Sequence, residues 1–442
     1  MSDFRTKVDG RTVGIADLLA YLDASPSPYH AAAEADRRLT ASGSVVVELT
    51  APWTDVPARG HVVVDGAVVA WSLPEGGPAL PPLRLVGAHT DSPGLRIKPR
   101  PDTGLAGWRQ LAVEVYGGAL VNSWLDRDLG LSGRVAVHVD GRVETRLLRV
   151  DRPVVRVPQL AIHLDREVST HGLKLDRQRH LTLVWGVGPV DVGSFQVFLA
   201  EEIGAAPDDI AGGDVMVHDL SPAALVGADE SLVSSGRLDD LCSCWAGLAA
   251  LEQVGALTGD APVGAVLVLN DHEEVGSAST RGAGGPLLAH VLERLATARG
   301  GGRSDLLTAL PASALASADM AHATHPNHPE KHEPGHWIAV DGGPVVKVNA
   351  NQRYATEPAT QALFEAACAR AGVPVQHFVG HNEVPCGSTI GPITAAELGI
   401  PTVDVGVAQL AMHSARELCG ATDPVRMVAA LAAWWSPEHR SA

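Results

Sequence analysis

The apolar run from Val263 to Leu269 breaks off into NDHEEVGS, and this junction constrains the architecture more than any other stretch of the chain. A short apolar run closed by turn-type residues predicts a strand buried on both faces, as in a parallel sheet. Residues just beyond the carboxyl ends of such strands line the crevice where α/β proteins hold their ligands. Glu273 and Glu274 fall there side by side. Adjacent carboxylates repel each other unless positive charge lies between or beyond them. One of the two can ligate a metal while the other handles a proton. A solvated loop with two acids is the plain alternative, so the pair has to be weighed with the rest of the chain.

Other ligand-type residues recur in the same setting. GAHTDSPGL places His89 and Asp91 after Leu83 to Val86, and SADMAHATHPNH places Asp319 and His322 after the run around Leu315. LAMHSARE carries His413 near the end of the run from Val403 to Leu410, and RLDDL sets Asp239 and Asp240 before a helix-like segment, Leu241 to Leu251. Histidine and carboxylate donors together suit zinc or a similar transition metal. Two histidines, two terminal carboxylates and one bridging carboxylate are what a pair of divalent ions sharing a water requires. This chemistry assigns His89 and Asp319 to one ion, Glu274 and His413 to the other, and Asp239 to the bridge. Glu273 is then the general base, and Asp91 is placed to hold the far nitrogen of the His89 imidazole.

Three tempting motifs carry less. His272, Glu273 and Glu274 begin like a zinc-protease helix, but Gly276 stands where the second histidine belongs. The tract His322, His325, His328, His332 and His336 could hold a further metal; the preferred expectation is a loop beside the site with only His322 at the substrate. PCGSTIGP lacks the lysine and spacing of a phosphate loop and reads as a tight turn closing the floor of the site.

The chain has 442 residues, enough for two domains. Helical patterning over 14–40 gives way to strand-like runs from about 45 to 91. Between about 92 and 234, alternating β-branched segments (VEVYGG, GRVAVHVDGRVETRLLRV, LTLVWGVG, SFQVFLAEEI) with DG turns predict antiparallel strands. From 235 onward strands alternate with helices, including the run near Met427 to Trp435, while GGPLLAH and ATARGGGRSD read as loops. Because His89 precedes the middle region and the other ligands follow it, the expected fold is α/β: a discontinuous catalytic domain (1–91 and 235–442), with a mixed β-sheet flanked by helices, interrupted by a β-rich insert (92–234).

A formal charge of −17, from 34 basic and 51 acidic residues, disfavours nonspecific binding to nucleic acid or anionic membranes. It also requires a local cation for any acidic substrate, and KVNANQRY supplies candidates. No run reaches the ~20 apolar residues of a membrane span. MSDFRTKVDGR has no apolar signal core, and five cysteines suit a reducing compartment, so a cytoplasmic location is expected.

In their order, GAHTDSPGLRIKP, YGGALVNSWLDRDLGLSGRV, VPQLAIHLDR, RLDDL, NDHEEVGS, SADMAHATHPN, GPVVKVNANQRYAT, PCGSTIGPI and QLAMHSARE make the chain resemble the aspartyl aminopeptidases. That resemblance implies a zinc aminopeptidase with two Zn2+ per subunit (Co2+ or Mn2+ as possible replacements) that removes N-terminal Asp or Glu from short peptides. It implies the same metal ligands, with Lys347, Tyr354 and His322 at the substrate and a cis peptide after Asp239. It further implies that the insert builds a dimer, that dimers assemble into a homododecamer, and that His163 completes the neighbouring subunit's site. The flanking Leu160, Ile162 and Leu164 equally suit a core histidine. Asp240 and His272 depart from the asparagines usual in the family. Dinuclear carboxypeptidases, deacylases and neutral-residue aminopeptidases share this metal chemistry and are the nearest alternatives; a catalytically silent scaffold would have lost a ligand or the base.

Overall fold

The computed structural model describes residues 5–8, 11–257 and 263–436. Its centre is a nine-stranded mixed sheet, in the order Gln376–Val379, Val345–Val348, Thr402–Gly406, Ala314–Ala318, Leu83–His89, Gly264–Asn270, Ala67–Ser72, Arg59–Val64 and Val45–Val46. The four strands from Thr402–Gly406 to Gly264–Asn270 are mutually parallel. Side chains of a strand alternate between faces, and the core divides accordingly. Val86, Ala88, Leu267 and Leu269 pack under helices Ile15–Ala24, Pro28–Ala41, Leu238–Val254 and Asp423–Trp435. Leu83, Leu85, Val266 and Val268 pack under Leu287–Ala298 and Arg303–Ala309. With both faces covered, these strands have to be apolar throughout, which is the pattern seen in Val263 to Leu269.

The six strands of a second sheet all lie between residues 94 and 219, in the order Arg142–Val155, Leu129–Val139, Ile210–Asp219, Gly94–Leu105, Trp108–Tyr116 and Leu183–Val187. Every pairing is antiparallel. Its core cluster draws on Leu95, Leu111, Leu131, Val135, Leu148 and Leu183. The DG signal is realised at Asp140–Gly141, where φ values of 49° and 74° close the hairpin with Val139 facing Arg142. A five-stranded sheet (Ala224–Val226, Leu232–Ser235, Glu417–Gly420, Ala408–Leu410, Ala321–His322) leads from this region to the central sheet.

Two local expectations need correction. SFQVFLAEEI, predicted as a strand, is the helix Ser194–Ile203, bounded by Gly193 and Gly204 in the left-handed region. Its buried residues Phe195, Leu199 and Ala200 follow a helical spacing, and that outweighs the β-branched content. GGPLLAH and ATARGGGRSD are only partly loops, because Leu287–Ala298 runs as one helix between the glycine clusters. Among the described residues, no helix is long and apolar enough to cross a membrane.

Candidate metal centre

Three neighbouring strand ends assemble the first donors. His89 is the last residue of its strand and pairs in register with Asn270, so the turn after Asn270 brings Glu273 and Glu274 beside it. Asp319 directly follows Ala314–Ala318, which pairs with the His89 strand on its other side. Asp239 stands in the opening turn of Leu238–Val254, where the Asp239–Asp240 peptide is cis. His413 follows Ala408–Leu410.

Three sets of donors lie within 4.8 Å of one another: His89, Asp239 and Asp319; Asp239, Glu274 and His413; and His89, Glu273 and Glu274. Among the described residues these are the only such groups of three or more, and the histidine tract 322–336 forms none. Asp239 is the residue shared by the first two sets.

The hydrogen bonds around the imidazoles favour a cation. His89 Nδ1 is 3.0 Å from the Asp91 carbonyl and His413 Nδ1 is 3.2 Å from the Gly118 carbonyl. A carbonyl only accepts, so each Nδ1 carries a proton, and Nε2 is the nitrogen left to meet positive charge, whether a metal ion or a second proton. Both Nε2 atoms face carboxylates: His89 Nε2 lies 3.3 Å from Asp239 Oδ1, and His413 Nε2 lies 3.4 Å from Glu274 Oε1 and 3.5 Å from Asp239 Oδ2. Asp239 Oδ1 is buried without a hydrogen bond. Carboxylates gathered this closely around two imidazoles require positive charge among them, and an N/O donor set of this kind suits zinc.

Asp91 faces the far nitrogen of His89, and its carboxylate has further partners. Its Oδ1 is 3.5 Å from His89 Nδ1, while its oxygens accept from the amides of Glu273 (3.0 Å) and Glu274 (3.1 Å) and from the Tyr116 hydroxyl (2.7 Å). It therefore shapes the two-glutamate turn as well as facing the imidazole. Burial, opposed by His89 and reinforced by Asp319 and Asp239, pushes the Glu273 carboxyl up to about 7.

Glu417 plays a part that sequence reasoning missed. This buried carboxylate accepts from the amides of His413 at 2.7 Å and Asp239 at 3.0 Å, tying two donors from distant parts of the chain. Its only sequence signal is an acid four residues beyond His413. Asp240, also buried, accepts from the His89 amide at 3.1 Å. An asparagine carbonyl would serve the same bond, so the departure at this position leaves the backbone of His89 held.

A cavity of about 320 Å³ joins the donors to Glu273, His322, Lys347, Tyr354 and the turn Gly387–Thr389. PCGSTIGP thus reaches the cavity wall, with Thr389 Oγ1 accepting from the Gly391 amide at 3.3 Å to cap helix Ile390–Leu398. Lys347 is buried, and its Nζ donates to the carbonyls of Asp319 and Met320, each at 3.2 Å. His163 does not line this cavity. It lies on an exposed turn with Leu160, Ile162 and Leu164 at 57%, 51% and 75% exposure, which eliminates the core-histidine alternative.

Comparison with known proteins accords with this geometry. The pattern describing aminopeptidase I zinc metalloproteases (M18) matches residues 21–435. The chain belongs to the M18 aminopeptidase family. It is 54% identical over 422 residues to a probable M18 family aminopeptidase 2 of Streptomyces coelicolor, covering 95% of this chain and 97% of that relative. Among solved structures, a chain in the cryo-EM structure of an Ape4 and Nbr1 complex matches with a TM-score of 0.92 at 33% identity, over 96% of this chain and 85% of that one. The S. cerevisiae mApe1 dodecamer matches with a TM-score of 0.83 at 26% identity, over 96% and 97%. These M18 structures share the α/β fold described above.

Proposed function

We propose that this M18 aminopeptidase removes N-terminal aspartate or glutamate from short peptides, using two zinc ions held by His89 and Asp319, by Glu274 and His413, and by Asp239 between them. The observation that carries this is the sharing of Asp239 by two separate donor sets. When bound, the ions polarise the scissile carbonyl and acidify the attacking water. Glu273 lines the same cavity, and no ligand role is needed from it. Its carboxylate takes the water's proton and delivers it to the leaving amine. His163 of the partner subunit donates a hydrogen bond to the developing oxyanion, and the insert (92–234) forms the dimer from which a dodecamer is built. Exposed apolar side chains around His163 support an interface there.

Without cations, the clustered carboxylates would repel one another. An ion at ~1,000 times its dissociation constant stabilises a fold by about 4 kcal/mol per site. Chelation is therefore expected to lower the thermal unfolding midpoint by several degrees and abolish activity, with zinc restoring both. An unchanged midpoint with full activity would mean that the donors hold no ion.

The acidic preference is assigned to Lys347 with Tyr354 and His322. An ammonium has three donors; two go to carbonyls, and the third, with Asp319 Oδ2 beyond hydrogen-bond reach at 3.8 Å, is left for a substrate carboxylate in the cavity it lines. Assayed side by side on aspartyl, glutamyl, leucyl and N-acyl substrates, the wild type is expected to prefer the first two. Lys347→Leu also loosens the main chain at Asp319, so every rate should fall. The kcat/KM ratio of aspartyl to leucyl substrates is the informative quantity, and it should drop by about 10- to 100-fold, the value of one charged hydrogen bond. An unchanged ratio contradicts the assignment, and wild-type preference for leucyl or N-acyl substrates favours the neutral-residue aminopeptidase or deacylase readings.

A further inference from the structure

The turn bearing Glu273 and Glu274 is held by a set of contacts that the proposed mechanism leaves unused. His272 and Ser277, both non-glycine, hold φ values of 64° and 59°, a conformation that the surroundings have to enforce. Asp271 is buried, accepts from the His272 amide at 2.9 Å, and pairs with Arg281 Nε at 3.4 Å. Arg281 Nη1 reaches Asp65 Oδ2 at 2.8 Å. Asp65 pairs with Arg134, Arg134 Nη2 lies 2.9 Å from Asp214 Oδ2, and Asp214 pairs with Arg96.

Charge alternates in sign along Asp271, Arg281, Asp65, Arg134, Asp214 and Arg96. The chain starts beside the carboxyl end of a central-sheet strand and ends on three adjacent strands of the six-stranded sheet. There Asp214 and Arg134 face each other as direct cross-strand partners. From helix Pro28–Ala41, Tyr29 donates its hydroxyl to Asp214 at 3.0 Å and lays its ring 4.4 Å from the Arg134 guanidinium. The side chains of Arg281 and Arg134 are only 16% and 18% exposed, so solvent screens these pairs less than it would surface pairs. A guanidinium that bonds two carboxylates at once fixes their separation and orientation, which a flexible ammonium does not.

We propose that Arg281 is a positioning residue: it locks the turn of Glu273 and Glu274 to the six-stranded sheet, so that the seating of that sheet aims the catalytic carboxylate. This rests on the reading of Glu273 as base. The two stand apart in experiment, because an active Glu273→Gln variant would sink the base assignment, whereas amide exchange in the turn reports on the ladder whichever group is the base.

The test uses full-length, zinc-loaded protein with Arg281→Gln, Arg281→Lys, Arg134→Gln and the double Arg134→Gln/Arg281→Gln. Misplacement of a catalytic group by about 1 Å costs on the order of 100-fold. At full zinc loading, Arg281→Gln should accordingly lose about 10- to 100-fold in kcat, with KM unchanged and with faster hydrogen exchange at the amides of Glu273 and Glu274. Arg281→Lys should recover part of the rate. The double variant should fall no further than the worse single, since both cut one chain of contacts. Wild-type kcat and exchange in Arg281→Gln would overturn the proposal, as would losses that multiply in the double variant. If Arg281→Gln does not fold, Asp65→Asn paired with Arg134→Gln cuts the same ladder and is held to the same outcomes.

Discussion

Glu273→Gln is expected to retain its full complement of zinc and lose nearly all turnover. The substitution keeps the size of the side chain, and the amide of residue 273 still donates to Asp91 at 3.0 Å, so the turn survives. The proposed terminal ligands and the Asp239 bridge are untouched. What disappears is proton transfer, which typically contributes ~10²–10⁴-fold. Metal analysis and kcat on an aspartyl substrate, measured on the same preparation, check both halves. Wild-type turnover would remove Glu273 from the mechanism, and loss of zinc would make it a ligand, an outcome the set His89, Glu273 and Glu274 makes worth testing.

The second large effect crosses the subunit boundary. His163→Phe and Glu273→Gln are each expected to be nearly inactive alone, yet partly active when mixed under conditions of subunit exchange. His163 is too exposed to be a core residue, and it is absent from the cavity of its own chain. In a mixed dimer, one of the two sites combines an intact Glu273 with an intact His163 donated by the other subunit. Removing one oxyanion donor costs about 10²–10³-fold, so activity returning in the mixture would stand clear of either parent. Mixed assemblies that demonstrably form and stay inactive would exclude catalysis in trans through His163.

Much of the fold was legible because its signals are local. A strand buried on both faces has to be apolar along its length, as residues 264–269 are, and a DG pair between two alternating runs closes a hairpin, as Asp140–Gly141 does. The segment Ser194–Ile203 departs from its strand-like alternation because the spacing of Phe195 and Leu199 gives a helix one face to bury. Asp91 was recognised as a partner of the site, but whether its carbonyl or its carboxylate would face His89 depends on a backbone path that composition does not record.

The amino-acid sequence by itself determined the chemistry: imidazole and carboxylate donors at the ends of buried strands, in a chain whose net acidity demands a cation beside any acidic substrate. It also determined the order of the two kinds of sheet, since each announces itself by its own periodicity. The tertiary structure decided everything that requires distant residues to meet. It sorted the donors into three sets, two of them sharing Asp239, seated Glu417 beneath two of the donors, left His163 on the surface, and ran the alternating charges from Asp271 to Arg96. The reason is physical. Local backbone preference acts over a few residues, whereas hydrogen bonds and ion pairs depend only on distance and angle in space, and nothing in the separation of residues 65, 134 and 281 along the chain states that they touch.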